Sequence, residues 1–452
     1  MTLVEPTTPT TSTVSDDRLD GLPVVIIGAG PIGLAAAANL VERGIPFEIH
    51  EAGDSVGDAI RRWGHTRLFS PWRHLVDPAS RRLLEPTGWQ HPQEDRLPTG
   101  AELVSEYLEP LAALPAIAGH IVTGSTVVAV SRDGADRTRT TGREGTPFVL
   151  RIDGADGADE RRARAVIDAS GTTRSPNSLG SSGIDPLGAE TVRDLVTSAL
   201  PDVLGRDRDR FAGLHTVVVG AGHSAANTLL DLAALADEAP GTRVTWIIRN
   251  RSAVRVSASV DDGLPARASI GGRVDRLVAT GRVRLVDRFE IERLRRDGDQ
   301  ATLIGHRGGM PEEVTADVVV TATGFRPDLG LLREIRLDLD EVVEAPRRLA
   351  PLIDPNVHSC GTVPPHGVDE LRHPEPQFFI AGMKSYGRAP TFLLATGYEQ
   401  VRSIAAHLAG DRRAAEAVEL LLPATGVCST SLGDTAAADA SCCGSASLAS
   451  CN

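Results

Sequence analysis

Two glycine-rich runs in this chain have the spacing that lets backbone amides approach a phosphate. The first reads Gly28-Ala29-Gly30-Pro31-Ile32-Gly33, and the acid Glu51 follows about twenty residues later. In such a run the first glycine permits a tight turn, the second lets the chain approach a pyrophosphate, and the third allows the helix to pack closely on its strand. Glu51 can accept a hydrogen bond from a ribose hydroxyl. This combination predicts a dinucleotide site formed by Gly28, Gly30, Pro31, Ile32, Gly33 and Glu51.

The second run, Gly220-Ala221-Gly222-His223-Ser224-Ala225, has alanine at its third position, which still permits close packing. No carboxylate stands at the position expected for a ribose contact, and two arginines are found there instead. Because guanidinium groups bind phosphate well, we expect this site to take NADPH in preference to NADH. The residues predicted to bind it are Gly220, Gly222, His223, Ser224, Arg249 and Arg251.

Each run follows a short apolar strand and opens a helix, which is the β-turn-α-β unit of a dinucleotide-binding fold. The elements predicted around the first run are Val24–Ile27, a helix reaching Arg43, and Phe47–His50. Those predicted around the second are Thr216–Val219, Asn227–Ala236 and Arg243–Ile248. Two further apolar strands, Ala165–Asp168 and Ala316–Val320, end in small residues. We expect the chain to pass close to a cofactor or to cross between domains at these two places.

The length of 452 residues favours two or more domains, because single cores stop growing at roughly 250–300 residues. We predict an α/β fold with two Rossmann-like dinucleotide-binding domains. A discontinuous first domain covers residues 21–210 and 326–422, and an inserted second domain covers residues 211–325. Residues 1–20 and 423–452 are predicted to be flexible tails. Asp133–Glu160 is predicted to form loops around a short strand, Phe148–Ile152.

The charge balance excludes one class of partner. The 47 basic and 60 acidic residues give a net charge of −13, which argues against nucleic-acid and anionic-membrane binding. The first residues lack the basic start and apolar core of a signal peptide, so we expect a cytoplasmic protein with free thiols.

Four of the five cysteines lie in the C-terminal tail, at Cys428, Cys442, Cys443 and Cys451. Thiolates are soft ligands, so we predict that these cysteines bind a thiophilic metalloid such as trivalent arsenic. The alternative is that they are surface thiols without a ligand.

An aromatic- and histidine-rich segment, Gly57–Pro115, follows the first dinucleotide motif and holds three of the four tryptophans. Aromatic side chains concentrated beside a cofactor indicate a substrate cavity, whereas packing beneath a long loop explains them equally well. Arg67 and His74 from this segment, together with Lys384, are candidates for polar groups in the cavity. No catalytic acid or base is predicted, because the cofactor carries most of the chemistry.

Two dinucleotide folds in this order resemble the two-dinucleotide-binding-domain flavoproteins. These include thioredoxin and glutathione reductase relatives, flavin-containing monooxygenases and Baeyer–Villiger monooxygenases. The runs Leu97–Leu108, Gly220–Asn227 and Val320–Pro327 are similar to the monooxygenase branch. The resemblance implies FAD at the first site and NADPH at the second. The set of predicted cofactor contacts is completed by Trp63, Ser170, Gly171 and Gly382.

A narrower resemblance rests on the blocks Phe379–Leu393, Gly397–Arg402 and Leu422–Ser429. They are similar to flavin monooxygenase-like proteins encoded among arsenic-resistance genes of GC-rich bacteria. This likeness implies that Gly382 ends the last strand of the FAD domain near the flavin, and that a helix from Thr391 points its N-terminus toward the ring. The sequence has no C-x-x-C pair, which argues against a conventional disulfide reductase.

The expected function is an NADPH-consuming, FAD-dependent monooxygenase that acts on a small-molecule substrate with oxygen and is linked to arsenic or organoarsenical metabolism. One alternative is an NADPH-dependent flavin reductase or oxidase of a thiol, quinone or metal(loid). Another is a metalloid-binding protein that uses the tail cysteines. A homodimer is compatible with the sequence.

Overall fold

Short apolar runs form the strands of this protein, and alanine- and leucine-rich runs form its longer helices. The computed structural model describes residues 18–155, 157–253, 265–354, 363–390 and 392–420. In chain order the strands are β1 Val24–Ile27, β2 Phe47–His50, β3 Ile121–Val122, β4 Thr126–Arg132, β5 Phe148–Gly154, β6 Gly157–Ala163, β7 Ala165–Asp168, β8 Val196–Ser198, β9 His215–Val219, β10 Arg243–Ile247, β11 Arg284–Val286, β12 Phe289–Asp297, β13 Gln300–Arg307, β14 Met310–Ala316, β15 Val318–Thr321 and β16 Phe378–Ile380. The α-helices are α1 Pro31–Glu42, α2 Asp58–Arg61, α3 Pro78–Leu84, α4 Gly100–Leu103, α5 Glu109–Ala112, α6 Pro115–Ala118, α7 His223–Glu238, α8 Pro265–Ala279, α9 Ala350–Ile353, α10 Leu394–Leu408 and α11 Arg412–Glu416. Within these ranges no helix is both long and apolar enough to cross a membrane.

The first sheet is parallel throughout and has the strand order β16-β7-β1-β2-β3. All four side chains of β1, the central strand, are buried. Val24 and Ile26 belong to the core formed with α1 and α10, whereas Val25 and Ile27 pack on the opposite face against β4 and β5. A strand buried on both faces has a continuous apolar sequence, which is why it is recognisable without a structure. The carboxyl ends of β1, β2, β7 and β16 lie at one edge, and the first glycine run follows β1 there.

The second sheet is also parallel, with the order β11-β10-β9-β15-β8. Val218 packs with α7 and α8, whereas Val217 and Val219 face the antiparallel strands β12, β13 and β14. All the strands of this sheet come between β7 and β16 in the chain, so the second fold is inserted into the first. β8 pairs with β15 although it precedes residue 211. The domain bounds stay predictions, and this pairing favours an earlier start for the second domain.

The segment from β4 to β6 differs from the loops that the sequence predicts around one short strand. β4, β5 and β6 form an antiparallel sheet in which Phe148 pairs with Arg132 on one side and Ala163 on the other. In β6 only Ala163 is buried, so this strand lacks the alternation that would identify it. Two smaller differences concern bounds: α7 begins at His223 rather than Asn227, and the predicted strand Ala316–Val320 is divided between β14 and β15.

A buried ion cluster anchors this antiparallel sheet to the start of β16. The Glu375 carboxylate accepts a hydrogen bond from Arg132 Nε at 2.8 Å and one from Arg143 Nη2 at 2.8 Å, and none of the three side chains is more than 3% exposed. Burial opposes ionisation, but the bonds from Arg143 and Arg132 outweigh it and hold the pKa of Glu375 below its usual range. The cluster therefore fixes the sheet that covers the back of the first fold.

Candidate functional site

The three glycines of the first run serve two different purposes. Gly28 has φ +98°, in the left-handed region, and a Cβ there would lie 2.9 Å from the carbonyl oxygen of Ala169. A Cβ on Gly33 would lie 1.9 Å from the carbonyl oxygen of Gly28. A Cβ on Gly30 would meet no atom within 4 Å beyond its own chain neighbours. Gly28 and Gly33 are therefore needed to close the turn, and Gly30 leaves open space in front of it.

Helix α1 points its N-terminus into that space. Gly30 is the N-cap residue, Pro31 occupies the first turn, and no side chain caps the helix. The amide of Leu34 donates to the carbonyl of Gly30 at 3.0 Å, so the amides of Ile32 and Gly33 come before the first intrahelical bond. The positive end of the helix dipole is open to an anion. This arrangement fits a pyrophosphate.

Glu51 connects the end of β2 to the same turn. Its Oε2 accepts a hydrogen bond from the amide of Ala29 at 2.7 Å, and its Oε1 accepts one from the amide of Gly53 at 2.7 Å. The carboxylate is thereby oriented, and each oxygen keeps a second lone pair for a hydroxyl donor. Glu51 is half-buried, at the edge of the open space. Its placement is compatible with the predicted ribose contact and adds a role in shaping the turn.

The predicted contacts Ile32 and Gly382 lie against each other. Gly382 has φ +71°, and a Cβ there would be 3.0 Å from Ile32 Cγ1. A Cβ on Gly397, in α10, would be 2.4 Å from Ile32 Cδ1. The Ile32 side chain therefore occupies the room left by two glycines, and it joins the first turns of α1 and α10 to the end of β16.

Lys384, a candidate for a polar group in the cavity, forms a buried ion pair. Its side chain is fully buried, and Nζ donates to Asp168 Oδ2 at 2.6 Å and to Ser170 Oγ at 3.1 Å. Ser170 Oγ in turn donates to Asp168 Oδ1 at 2.6 Å. The physical reason is the charge of Asp168, which is itself fully buried at the end of β7 and needs a cation. Lys384 thus ties the ends of β7 and β16 together, with Ser170 and the exit to Gly171 beside them.

The other two cavity candidates lie on the aromatic segment. Arg67 is exposed, and its Nη1 donates to the carbonyl of Leu97. His74 accepts a hydrogen bond from Arg73 Nε at 3.3 Å. Burial, helped by the Arg73 charge, lowers the pKa of His74, so it is neutral near pH 7. The partners of Arg67 and His74 differ from Asp168 and Ser170, which bind Lys384, and the place of all three in the cavity stays a prediction.

The tryptophans of the segment pack, as the alternative interpretation expected. Trp72 is fully buried in the core beneath α1. Trp89 is partly buried against the same core, and its Nε1 donates to the carbonyl of Glu106 at 2.8 Å. Trp63 lies over Gly100, where a Cβ would be 2.8 Å from its ring. Its role as a cofactor contact stays a prediction.

The second glycine run repeats the geometry of the first. Gly220 has φ +135°, and a Cβ there would lie 2.0 Å from the carbonyl oxygen of Ala322. Gly222 has no atom within 4 Å of a Cβ and is the N-cap of α7, which no side chain caps. Trp246 Nε1 donates to the carbonyl of Gly220 at 2.7 Å and fixes the turn. Sequence reasoning missed Trp246, although it is the only tryptophan outside the aromatic segment.

The two arginines predicted to select NADPH are exposed just beyond β10. Arg249 Nη1 donates to the carbonyl of Ser181 at 3.1 Å. A guanidinium has five N–H donors, so this contact leaves capacity for a phosphate. Arg251 follows two residues later on the same loop.

The aromatic segment meets the second fold at the start of α7. The rings of Phe69 and His223 are 5.6 Å apart. Further along α7, burial raises the pKa of Asp231 to about 6, while the nearby charges of His65 and Arg273 oppose the shift. The segment therefore lies close to the end of the second glycine turn.

Several predictions fall outside the described residues. All five cysteines lie there, including the predicted metalloid ligands Cys428, Cys442, Cys443 and Cys451, and so does Thr391. Within the described ranges, no group of three or more histidine, cysteine, aspartate or glutamate side chains is arranged to hold a metal ion. The helix expected from Thr391 is described from Leu394.

Known proteins share this architecture. Indole-3-pyruvate monooxygenase YUCCA1 from Oryza sativa subsp. japonica is 27% identical over 338 residues, which cover 72% of this chain and 70% of that protein. Bacillithiol disulfide reductase Bdr (YpdA) from Bacillus cereus superimposes with a TM-score of 0.64 at 21% identity, over 86% of this chain and 99% of that chain. Ornithine N-hydroxylase KtzI from Kutzneria sp. 744 was solved with reduced FAD, NADP+ and L-ornithine. It superimposes with a TM-score of 0.58 at 17% identity, over 87% of this chain and 99% of that chain.

The structure has two parallel-sheet folds, and the second is inserted into the chain of the first. Each has an open glycine turn after one of its strands. These features define an oxidoreductase with two dinucleotide-binding folds. Residues 25–359 match the pyridine nucleotide-disulphide oxidoreductase family. The chain belongs to this family. Because the fold is shared by a disulfide reductase and an N-hydroxylase, it does not by itself select the reaction.

Proposed function

We propose that this protein is an NADPH-consuming, FAD-dependent oxidoreductase that works as a monooxygenase. The observation that carries the proposal is the pair of open glycine turns, each at the uncapped N-terminus of a helix. FAD is assigned to the turn at Gly30 and NADPH to the turn at Gly222. When bound, FAD supplies hydride acceptance from NADPH and, once reduced, the activation of oxygen.

The residues of the chain bind and orient the two cofactors. The amides at the start of α1 hold the FAD pyrophosphate, and Glu51 accepts from a ribose hydroxyl. Gly382 leaves backbone room beside the first turn of α1. At the second site, Arg249 and Arg251 bind the 2′-phosphate. Further contacts are assigned to Trp63, Ser170, Gly171, His223 and Ser224.

The distribution of cysteines favours a monooxygenase over a disulfide reductase. The sequence contains no C-x-x-C pair, and no cysteine lies in the described part of the chain, where both glycine turns are. The likeness to a monooxygenase over 70% of that protein's length supports the same choice. In the proposed reaction NADPH supplies two electrons, one oxygen atom enters the substrate, and the other leaves as water.

A soft, electron-rich small molecule is the proposed substrate class, and a trivalent arsenical is the favoured example. What supports this is the resemblance of Phe379–Leu393 to proteins of arsenic-resistance gene clusters, together with the four cysteines of the tail. A trivalent arsenical would give up two electrons and take one oxygen atom to become pentavalent. The tail thiolates would capture it. A cytoplasmic location, where NADPH and reduced thiols are maintained, is part of this proposal.

The test is NADPH oxidation in the presence of oxygen with organic and inorganic arsenicals, sulfides and ketones, following peroxide in parallel. A monooxygenase gives substrate-dependent NADPH consumption and an oxygenated product. Peroxide equal to the NADPH consumed with every compound would identify an oxidase instead. Changing Cys442 and Cys443 to serine is expected to weaken arsenite binding and leave flavin reduction by NADPH intact. Equal arsenite binding by the variant would remove the tail from the proposal.

A further inference from the structure

The turn at Gly382 is held by a buried hydrogen-bond network centred on Gln400 of α10. Gln400 Oε1 accepts a hydrogen bond from the amide of Gly382 at 2.8 Å. Gln400 Nε2 lies 2.9 Å from Ser385 Oγ and 2.9 Å from His366 Nε2. Gln400 and Ser385 are fully buried, and His366 is 2% exposed. Water therefore does not compete for these groups.

Only one placement of the hydrogens gives every donor in this network an acceptor. Because Gln400 Oε1 faces an N–H, the two hydrogens of Nε2 must go to Ser385 and His366. Ser385 Oγ accepts one of them and donates its own hydrogen to the carbonyl of Gly382 at 2.7 Å. His366 Nε2 must accept the other. His366 Nδ1 then carries the proton and donates it to the carbonyl of Pro364 at 3.1 Å. The tautomer follows from its partners.

A proton on His366 Nε2 is incompatible with this arrangement. It would place an N–H against the amide nitrogen of Gln400. If the Gln400 side chain turned over to accept that proton, its NH2 group would face the amide of Gly382. In the first case Gln400 Nε2 loses its acceptor, and in the second the amide of Gly382 loses its acceptor. Both leave an unpaired donor at a buried position, where it is costly. The network requires neutral His366.

The surroundings of His366 favour the neutral form. Burial lowers its pKa, against the raising effects of the Pro364 carbonyl, Glu370 and Glu399. Both carboxylates are engaged: Glu399 pairs with Arg402 at 2.6 Å, and Glu370 accepts from the amide of Gly367 at 2.9 Å. The ring of Tyr386 also lies near His366, 5.7 Å away.

The network acts on the cofactor site through one contact. Gly382 lies against Ile32, which occupies the first turn of α1 two residues after Gly30. A movement of Gly382 therefore reaches the amides that are assigned to the FAD pyrophosphate.

We propose that Gln400 and neutral His366 are positioning residues that hold Gly382 against the first turn of α1, and that protonation of His366 releases this turn and weakens FAD binding. The proposal rests on the assignment of FAD to the first glycine turn. The direction in which FAD affinity changes with pH follows from the lowered pKa of His366. FAD affinity is full above the ordinary histidine pKa of about 6.5 and falls as the pH drops through the lowered pKa of His366.

The decisive variant is Gln400→Glu, because it is expected to reverse the direction in which FAD affinity changes with pH. The carboxylate still accepts from Gly382, but its second oxygen faces His366 Nε2. Only the protonated imidazole can donate to that oxygen and to the carbonyl of Pro364 at the same time. FAD release from the holoenzyme is followed by the rise of free-flavin fluorescence. As the pH is lowered from about 7 through the lowered pKa of His366, we expect the parent to bind FAD about tenfold more weakly, the loss expected for one unsatisfied buried donor. Over the same range the variant is expected to bind FAD more tightly.

The exposed Gln90 provides a matched control, since Gln90→Glu makes the same charge change on the surface and should follow the parent. The same pH slope for the parent and Gln400→Glu would overturn the inference. If Gln400→Glu does not fold, heteronuclear NMR of the parent imidazole decides. A proton on Nδ1 alone supports the network, and a proton on Nε2 overturns it. A parent that holds no FAD at any pH would instead overturn the proposed function.

Discussion

Gly30→Ala is expected to separate cofactor binding from folding. Gly30 has φ −81° and ψ −173°, which alanine adopts without strain, and its Cβ would meet no atom within 4 Å beyond the chain neighbours. The stability of the flavin-free protein should therefore change by no more than about 0.5 kcal/mol. The methyl group would occupy the space in front of the Ile32 and Gly33 amides. Loss of a charge-assisted hydrogen bond costs about 1.5–3 kcal/mol, so FAD should bind about ten- to a hundredfold more weakly.

Two matched variants make this experiment specific. Gly33→Ala should unfold or strongly destabilise the protein, because its Cβ would lie 1.9 Å from a backbone oxygen. Gly222→Ala is the counterpart of Gly30→Ala in the second turn, and its Cβ also has open space around it. It should weaken NADPH binding and leave FAD binding unchanged. Thermal unfolding, flavin fluorescence titration and the NADPH Michaelis constant are the three measurements. Undiminished FAD affinity in Gly30→Ala, or FAD loss in Gly222→Ala, would refute the assignment of the two turns.

Three further predictions follow from side chains. Replacing Arg249 and Arg251 together by alanine should raise the NADPH Michaelis constant about ten- to a hundredfold and leave that for NADH nearly unchanged, and equal losses would contradict a phosphate contact. Lys384→Met should cost about 3–5 kcal/mol in urea unfolding because it leaves the Asp168 charge buried alone, and adding Asp168→Leu should restore most of that loss. Glu375→Gln should lower stability by a similar amount by leaving two buried guanidinium groups without their anion, while FAD affinity stays at the parent value.

The central parts of both folds could be predicted because they have local sequence signals. β1 and β2 have the predicted bounds, and α1 ends one residue before the expected Arg43. A buried parallel strand needs an apolar run, and the phosphate turn needs glycine at fixed positions. β6 could not be predicted, because only Ala163 of its residues is buried and the rest of the strand is exposed.

The supporting contacts of the site depend on residues far apart in the chain, which spacing cannot reveal. Gln400 bonds to His366 across 34 residues, and Lys384 bonds to Asp168 across 216. For Lys384 a sequence signal did exist. It is the only lysine among 47 basic residues, at a buried position where a compact ammonium fits and a planar guanidinium is a poor substitute.

Identifying the bound cofactor and following its reduction by NADPH tests the assignment of FAD and NADPH to the two glycine turns. The purified protein is denatured to release and identify its flavin, and a native sample is mixed with NADPH without oxygen and then exposed to air. We expect stoichiometric, non-covalent FAD whose absorbance NADPH bleaches and air restores. A protein that neither retains nor takes up FAD, or whose FAD is not reduced by NADPH, would contradict the assignment of the two cofactors.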